Sequence, residues 1–294
     1  NYGLDVQTAG EETFIRRWRL EPSDSAAYFR GELVQPIEPI TYYIDPATPD
    51  RWRPWVKQGV EDWNEAFESA GFRNAIRALD PPSPEEDPEW DPEDTRYSVV
   101  RWADSLTRNA QGPSTSDPRT GEIIESDIVW YHNHMRSYRN WLMVQSGAAM
   151  QEARSLEIPE RVMGEAMRQV IAHEIGHALG LPHNMISSSA FPTDSLRNAD
   201  FARRMGVAPS VMDYARQNYI AQPGDGLNAI DFIRKIGPYD HYSIEWGYRL
   251  INTPRAEDER PILNGWIVRR ADDPMYRYAA QGAFSGVDPR AQTE

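Results

Sequence analysis

The chain has no cysteine among its 294 residues. That excludes disulfide scaffolds, thiolate zinc sites and cysteine nucleophiles, and it leaves the redox compartment open. Lysine is almost absent too: of 31 cations only Lys57 and Lys235 are not arginine, a bias we read as genomic codon usage. No apolar run approaches the 18 residues a membrane span needs. Cations are also outnumbered, 31 against 45 acids, for a formal charge of −14. Such a chain repels nucleic-acid phosphates and anionic lipid, so neither partner is expected; the charge reads as solubility. What is present is ordinary for a globular protein: 40% hydrophobic and 11% aromatic residues, with ten tryptophans, which excludes a mostly disordered chain. The length allows one large domain or two small ones. The first residues carry no initiator Met, basic segment or apolar segment, so we expect a piece of something longer, with flanking domains in its precursor.

Along the chain, residues 1–36 are polar and turn-rich, with an expected strand at Thr13–Leu20. Ile40–Asp45 is β-branched and aromatic and stops at Pro46, as a strand would. Apolar residues from Trp52 to Ala70 recur at three- and four-residue spacing, with Pro54 in the first turn and Gly71 past the end, predicting one amphipathic helix. Residues 80–95 are rich in Pro and acids. They read as a solvated loop; Ca²⁺ binding by their carboxylates is the weaker reading, because Pro breaks any calcium-loop spacing. Strands are expected at Tyr97–Trp102 and Ile123–Tyr131, with a turn at Asp117–Gly121. Helices are expected over 136–153 and from Pro159 to Leu179, closed by Gly180. Loops and short helices fill 184–230, and Tyr239–Leu250 reads as the last firm helix. This order suggests one α/β domain.

The informative stretch is His173-Glu-Ile-Gly-His177-Ala-Leu-Gly180-Leu-Pro-His183. His173 and His177 fall one turn apart on one helical face, so both imidazoles can grip one ion. Gly180 lets the chain leave the helix left-handed, and His183 can then swing back as a third ligand. Three neutral imidazoles leave one open position on Zn²⁺, the catalytic arrangement, and Glu174 can take a proton from water held there. A bare His-Glu-x-x-His arises by chance in about one chain of this length in a hundred; the added Gly and His cut that several hundred-fold. His132 and His134, two apart at an expected strand end, could reach a second metal, although structural or surface roles fit them better. His241 reads as helix surface.

Downstream, Ser210-Val211-Met212-Asp213-Tyr214 resembles the Met-turn of the metzincin metallopeptidases, whose Met lies beneath the zinc. Astacins and serralysins carry a Tyr two beyond that Met, which implies for Tyr214 a role as zinc ligand and then oxyanion donor. The segments 61–76, 85–102, 117–133, 172–185, 209–226 and 236–248 extend the likeness over nearly residues 14–250. There the chain is similar to large bacterial zinc-dependent metalloproteases that carry domains of unknown function around a metzincin core. The resemblance implies an α/β (α+β) fold: a twisted, mostly parallel sheet with an antiparallel edge strand, an active-site helix, a Met-turn and a C-terminal helical subdomain. It implies an N-terminal extension at 1–36, a peptidase domain at 37–250 with its subdomains meeting at about 183, and a tail at 251–294. It also implies export to the periplasm or beyond, and a polypeptide substrate lying as an added strand along Asn109, Ala110, Gln111, Gly112, Pro113 and Ser114. The expected activity is that of a zinc endopeptidase hydrolysing peptide bonds through a zinc-bound water activated by Glu174. An inactive zinc-holding binding module and a metal-dependent hydrolase of non-peptide amides or esters are the alternatives.

Overall fold

A computed structural model describes residues 13–279. In chain order these form α1 (Ser25–Phe29), β1 (Ile40–Ile44), α2 (Arg53–Glu61), α3 (Asn64–Ser69), β2 (Ile76–Leu79), β3 (Ser98–Ala103), β4 (Ala110–Gln111), β5 (Thr115–Ser116), β6 (Ile123–Glu125) and β7 (Ile128–Tyr131). There follow α4 (His134–Trp141), α5 (Glu160–Ala178), α6 (Thr193–Leu196), α7 (Ala199–Met205), α8 (Pro238–Tyr248) and α9 (Arg260–Arg270). The main sheet has the order β2-β1-β3-β7-β4. Its pairings are parallel except the last, where β4 runs antiparallel to β7, with Ala110 opposite Trp130 and Gln111 opposite Val129. A parallel ladder needs crossover connections, and α2 and α3 supply the one between β1 and β2. The helices α2 and α5 pack on each other and on the sheet, so α5 is buried on nearly every side: Met167, Ile171 and Ile175 are fully enclosed.

The end of α5 sets where His183 goes. The last carbonyls of a helix lack intrahelical donors. Here the Trp18 indole N–H donates to Ala178 O at 2.9 Å, and the Tyr248 hydroxyl donates to Leu179 O at 2.9 Å. Gly180 then turns the chain at φ 92°, and Leu181 N–H closes back on Gly176 O at 2.9 Å. Residues 13–36 thus belong to the scaffold: Leu20, Tyr28 and Val34 are core residues.

Five expectations need correction. Thr13–Leu20 is no strand; Arg17 forms a single bridge to Glu122, and the flanking residues, with Phe14, Ile15 and Arg16 exposed, continue no ladder. The helix expected from Trp52 to Ala70 is two, broken at Asp62-Trp63 where the Trp63 indole turns in and donates to Ala172 O at 2.8 Å. Ile123–Tyr131 splits into β6 and β7. Ser126 N–H and Asp127 are diverted at the join: Ser126 N–H goes to Ser98 Oγ, and the Asp127 carboxylate accepts from Val99 N–H and Arg101. The helix expected over 136–153 starts at His134, ends at Trp141 and gives way to a π-helical turn at Leu142–Ser146 and a short 3₁₀ turn. Finally, α8 is not the last helix. The helix α9 opens at Arg260 with Pro261 in its first turn, and its apolar residues are interrupted by Asn264 and Gly265, which hid it from a reading by spacing. In the acidic loop, Asp87, Asp91 and Asp94 cap local backbone N–H groups, and Asp94 also pairs with Arg96. Among the described residues no helix is long and apolar enough to cross a membrane.

Candidate metal centre and cleft

The nineteen-residue helix α5 brings His173 and His177 to one wall of a cleft, and the turn at Gly180 returns His183 to face them. Nε2 of His183 lies 3.3 Å from Nε2 of His173 and 3.0 Å from Nε2 of His177. The other ring nitrogens say which atoms carry protons. Nδ1 of His173 lies 2.7 Å from Val211 O, and Nδ1 of His177 lies 2.9 Å from Leu181 O. A carbonyl only accepts, so each Nδ1 donates and each Nε2 turns a lone pair inward. Burial holds all three imidazoles below their ordinary range, His183 at about 4, so they are neutral at pH 7. Neutral lone pairs converging at this range repel one another and call for a cation between them. A tetrahedral zinc with ligands at 2.0–2.1 Å has ligand–ligand edges of about 3.3 Å, close to the spacing here. The donor set fits zinc, and the two backbone carbonyls supply the supporting hydrogen bonds that metal-bound histidines use. Among the described residues, this is the one group of three or more His, Asp or Glu placed to share an ion.

Glu174 follows His173 and lies in the same cleft, 8% exposed. Burial pushes its carboxyl up to about 7, against the pull of Arg234. Tyr214 stands edge-on to His183, ring centroids 4.6 Å apart. Burial first, and then the Glu174 charge, push its phenol upward, so the hydroxyl keeps its proton. Met212 is buried under α5, and a Cβ on Gly176 would run into its sulfur and meet Trp63 Cζ2 at 2.9 Å. The Met-turn and the active-site helix therefore touch because position 176 has no side chain. Gly176→Ala should destabilise the protein by about 1–3 kcal/mol, an overpacking cost to be read from denaturant unfolding. Stability equal to wild type would show that Met212 yields freely.

Of the segment Asn109–Ser114, all but Ser114 border this cleft. The strand β4 is the sheet edge, antiparallel to its neighbour, and Asn109, Gln111 and Pro113 line the cleft of about 430 Å³ that holds the three histidines. Gly112 presses on the Glu174 carbonyl, where a Cβ would clash.

A match with a known family bears on the C-terminal part of the chain. Residues 155–294 match a family model described as Met-zincin. This segment is similar to the Met-zincins, a match that supports a metzincin-type metalloprotease domain. Neither the curated proteins nor the solved structures yield a match to the chain. With its mostly parallel sheet and antiparallel edge, the protein has an α/β metzincin-like fold.

Some residues that build the metzincin-type site were not legible beforehand. Arg234 is 4% exposed, and its Nη1 donates to the Val211 carbonyl at 3.0 Å and to the Asp213 carbonyl. The Val211 carbonyl thus accepts from both Arg234 and His173. Asp240 is fully buried and accepts from Ser210 Oγ at 2.6 Å, Val211 N at 2.8 Å and Gly237 N at 2.9 Å, fixing the Met-turn to the start of α8. Arg216, Tyr138 and Trp141 line the cleft.

The remaining histidines stand apart from the three, although His134 also lines the cleft. The strand β7 stops at Tyr131, so strand alternation does not govern His132 and His134. His134 opens α4 and is buried among Trp130, Tyr138 and Trp141, while His132 is exposed against Trp102. Neither joins a group of three metal-binding side chains among the described residues. His241 is not plain surface: half-buried, it meets Ser69 Oγ at 3.0 Å and joins α8 to α3.

Proposed function

We propose that this protein is a zinc endopeptidase. The observation that carries the reading is the juxtaposition, in one cleft, of three converging imidazole Nε2 atoms, a buried carboxylate and an antiparallel sheet edge. His173, His177 and His183 would hold the ion. Zinc there supplies Lewis acidity, polarising a peptide carbonyl and making water acidic enough to lose a proton near neutral pH.

The chain's own groups do the rest. The free edge of β4 presents backbone groups to an extended peptide, which would lie antiparallel along Asn109–Ser114. Glu174 takes the proton of the attacking water and delivers it to the leaving amine. The Tyr214 hydroxyl donates to the oxygen that becomes negative in the transition state. Arg234 and Asp240 act at one remove: Arg234 grips the Val211 carbonyl and Asp240 the Val211 N–H, and together they hold the carbonyl that orients His173.

Casein or gelatin offered to the zinc-loaded protein tests this. Internal cleavage should appear, stop when a chelator strips the metal, and return on adding zinc back. Zinc-loaded protein that leaves both substrates intact would overturn the endopeptidase reading. Small amide or ester substrates run alongside separate it from non-peptide hydrolysis. A periplasmic or extracellular address belongs to the same proposal and is tested by fractionating the producing cells.

A further inference from the structure

Two arginines line the cleft, and their surroundings differ. Arg234 is consumed by backbone carbonyls of the Met-turn. Arg216 has no hydrogen bond and no ion pair among the described residues. Its guanidinium carbon sits 3.9 Å from the centre of the Trp141 ring, on the ring face, with the Tyr214 ring at 5.7 Å. Trp141 is itself wedged against Tyr138 at 5.0 Å and His134 at 5.7 Å, so the platform under Arg216 is fixed.

Stacking uses the face of a guanidinium and leaves its in-plane N–H donors unspent. These donors lie in the cleft that contains Tyr214 and the edge residues Gln111 and Pro113. In a chain where acids outnumber cations 45 to 31, a half-buried arginine with no ion pair among the described residues stands out. Its neighbours His134 and Tyr138 are neutral, His134 held at about 4 by burial, so nothing on the adjoining face of α4 neutralises it.

We propose that Arg216 receives a carboxylate of the substrate, making the protein selective for a peptide that carries an acidic side chain, or its own C-terminal carboxylate, close to the scissile bond. The inference rests on the reading of the cleft as a peptide-binding site. A planar guanidinium can hold a carboxylate through two parallel N–H···O bonds, and Trp141 pre-sets its plane, so little ordering is left for binding.

The experiment uses zinc-loaded Glu174→Gln protein, which should bind peptide without consuming it. Peptide pairs differing only by Glu or Gln at each position around a cleavage site are titrated calorimetrically, each with a free and an amidated C-terminus. The acidic member of one pair should bind about 10- to 100-fold tighter, as expected for a charge-assisted hydrogen bond. Arg216→Met, whose stem still covers Trp141, should bring that pair to within about twofold. Arg216→Lys should keep part of the preference, and zinc content and circular dichroism check that both variants fold. If the preference follows C-terminal amidation, the carboxylate recognised is the terminal one; if it follows Glu against Gln, it is a side chain. Equal binding of every pair and of both termini, a preference that survives Arg216→Met, or no peptide binding at all overturns the proposal. Wild-type protein that binds acidic peptides selectively but cleaves none would sink the peptidase reading and leave the carboxylate receptor standing.

Discussion

Glu174→Gln should hold zinc as the wild type does and lose about 10²- to 10⁴-fold in turnover. Gln has nearly the shape of Glu, so the packing of α5 on the edge strand is kept. What disappears is the ability to accept a proton. The three imidazoles are untouched, and the hydrogen bonds that orient two of them run to Val211 and Leu181, not to Glu174. Metal content should therefore stay at one per chain. Stability should not fall either. Burial raises the Glu174 carboxyl, so its ionised form is disfavoured in the fold, and a neutral amide avoids that cost. The measurement is kcat/KM on a cleaved peptide beside metal analysis of the same sample. A variant with wild-type turnover would hand the proton transfer to another group. A variant that lost its zinc would leave the kinetic comparison silent on the base, which is why both readouts are taken together.

How much of this was written locally in the chain follows from how far apart the partners lie. His173, Glu174, His177, Gly180 and His183 fall within eleven residues, and helical spacing alone places the first three on one wall. The Met-turn, and with it Tyr214, was legible through resemblance to a known motif. The edge segment Asn109–Ser114 came the same way, since a two-residue strand has no periodicity to detect. Arg234 and Asp240 had no such signal. Each reaches its partner across 21 to 30 residues or more, and a single buried Arg or Asp looks in sequence like any surface charge. The breaks in the elements were hidden for a related reason. Trp63 interrupts a helix because its indole N–H finds Ala172 O, 109 residues away, and Asp127 ends one strand and begins another by capping Val99 N–H. These are tertiary hydrogen bonds overriding local pattern.

Tyr214→Phe should lower kcat by about 10²- to 10³-fold while leaving KM nearly unchanged. The substitution isolates the hydroxyl because the ring has its own packing. It stands edge-on to His183 at 4.6 Å, lies 5.7 Å from the Arg216 guanidinium and packs with Met185 and Ile186. Phe keeps all of those contacts, so the fold and the three imidazoles should be unaffected and zinc content should hold. A phenol kept protonated by burial is a donor, and a donor aimed at charge that appears only in the transition state contributes to kcat and not to ground-state binding. The opposing account treats Tyr214 as one more ring in the Met-turn loop, with a hydroxyl that does no work. It expects kcat within about twofold of wild type, and that result would leave the oxyanion to the metal and to backbone N–H groups. A parallel rise in KM would have a third meaning, since Tyr214 also flanks the guanidinium that we assign to the substrate carboxylate. If the rise appeared only with acidic peptides, the hydroxyl would be acting through Arg216 and not on the reacting carbonyl.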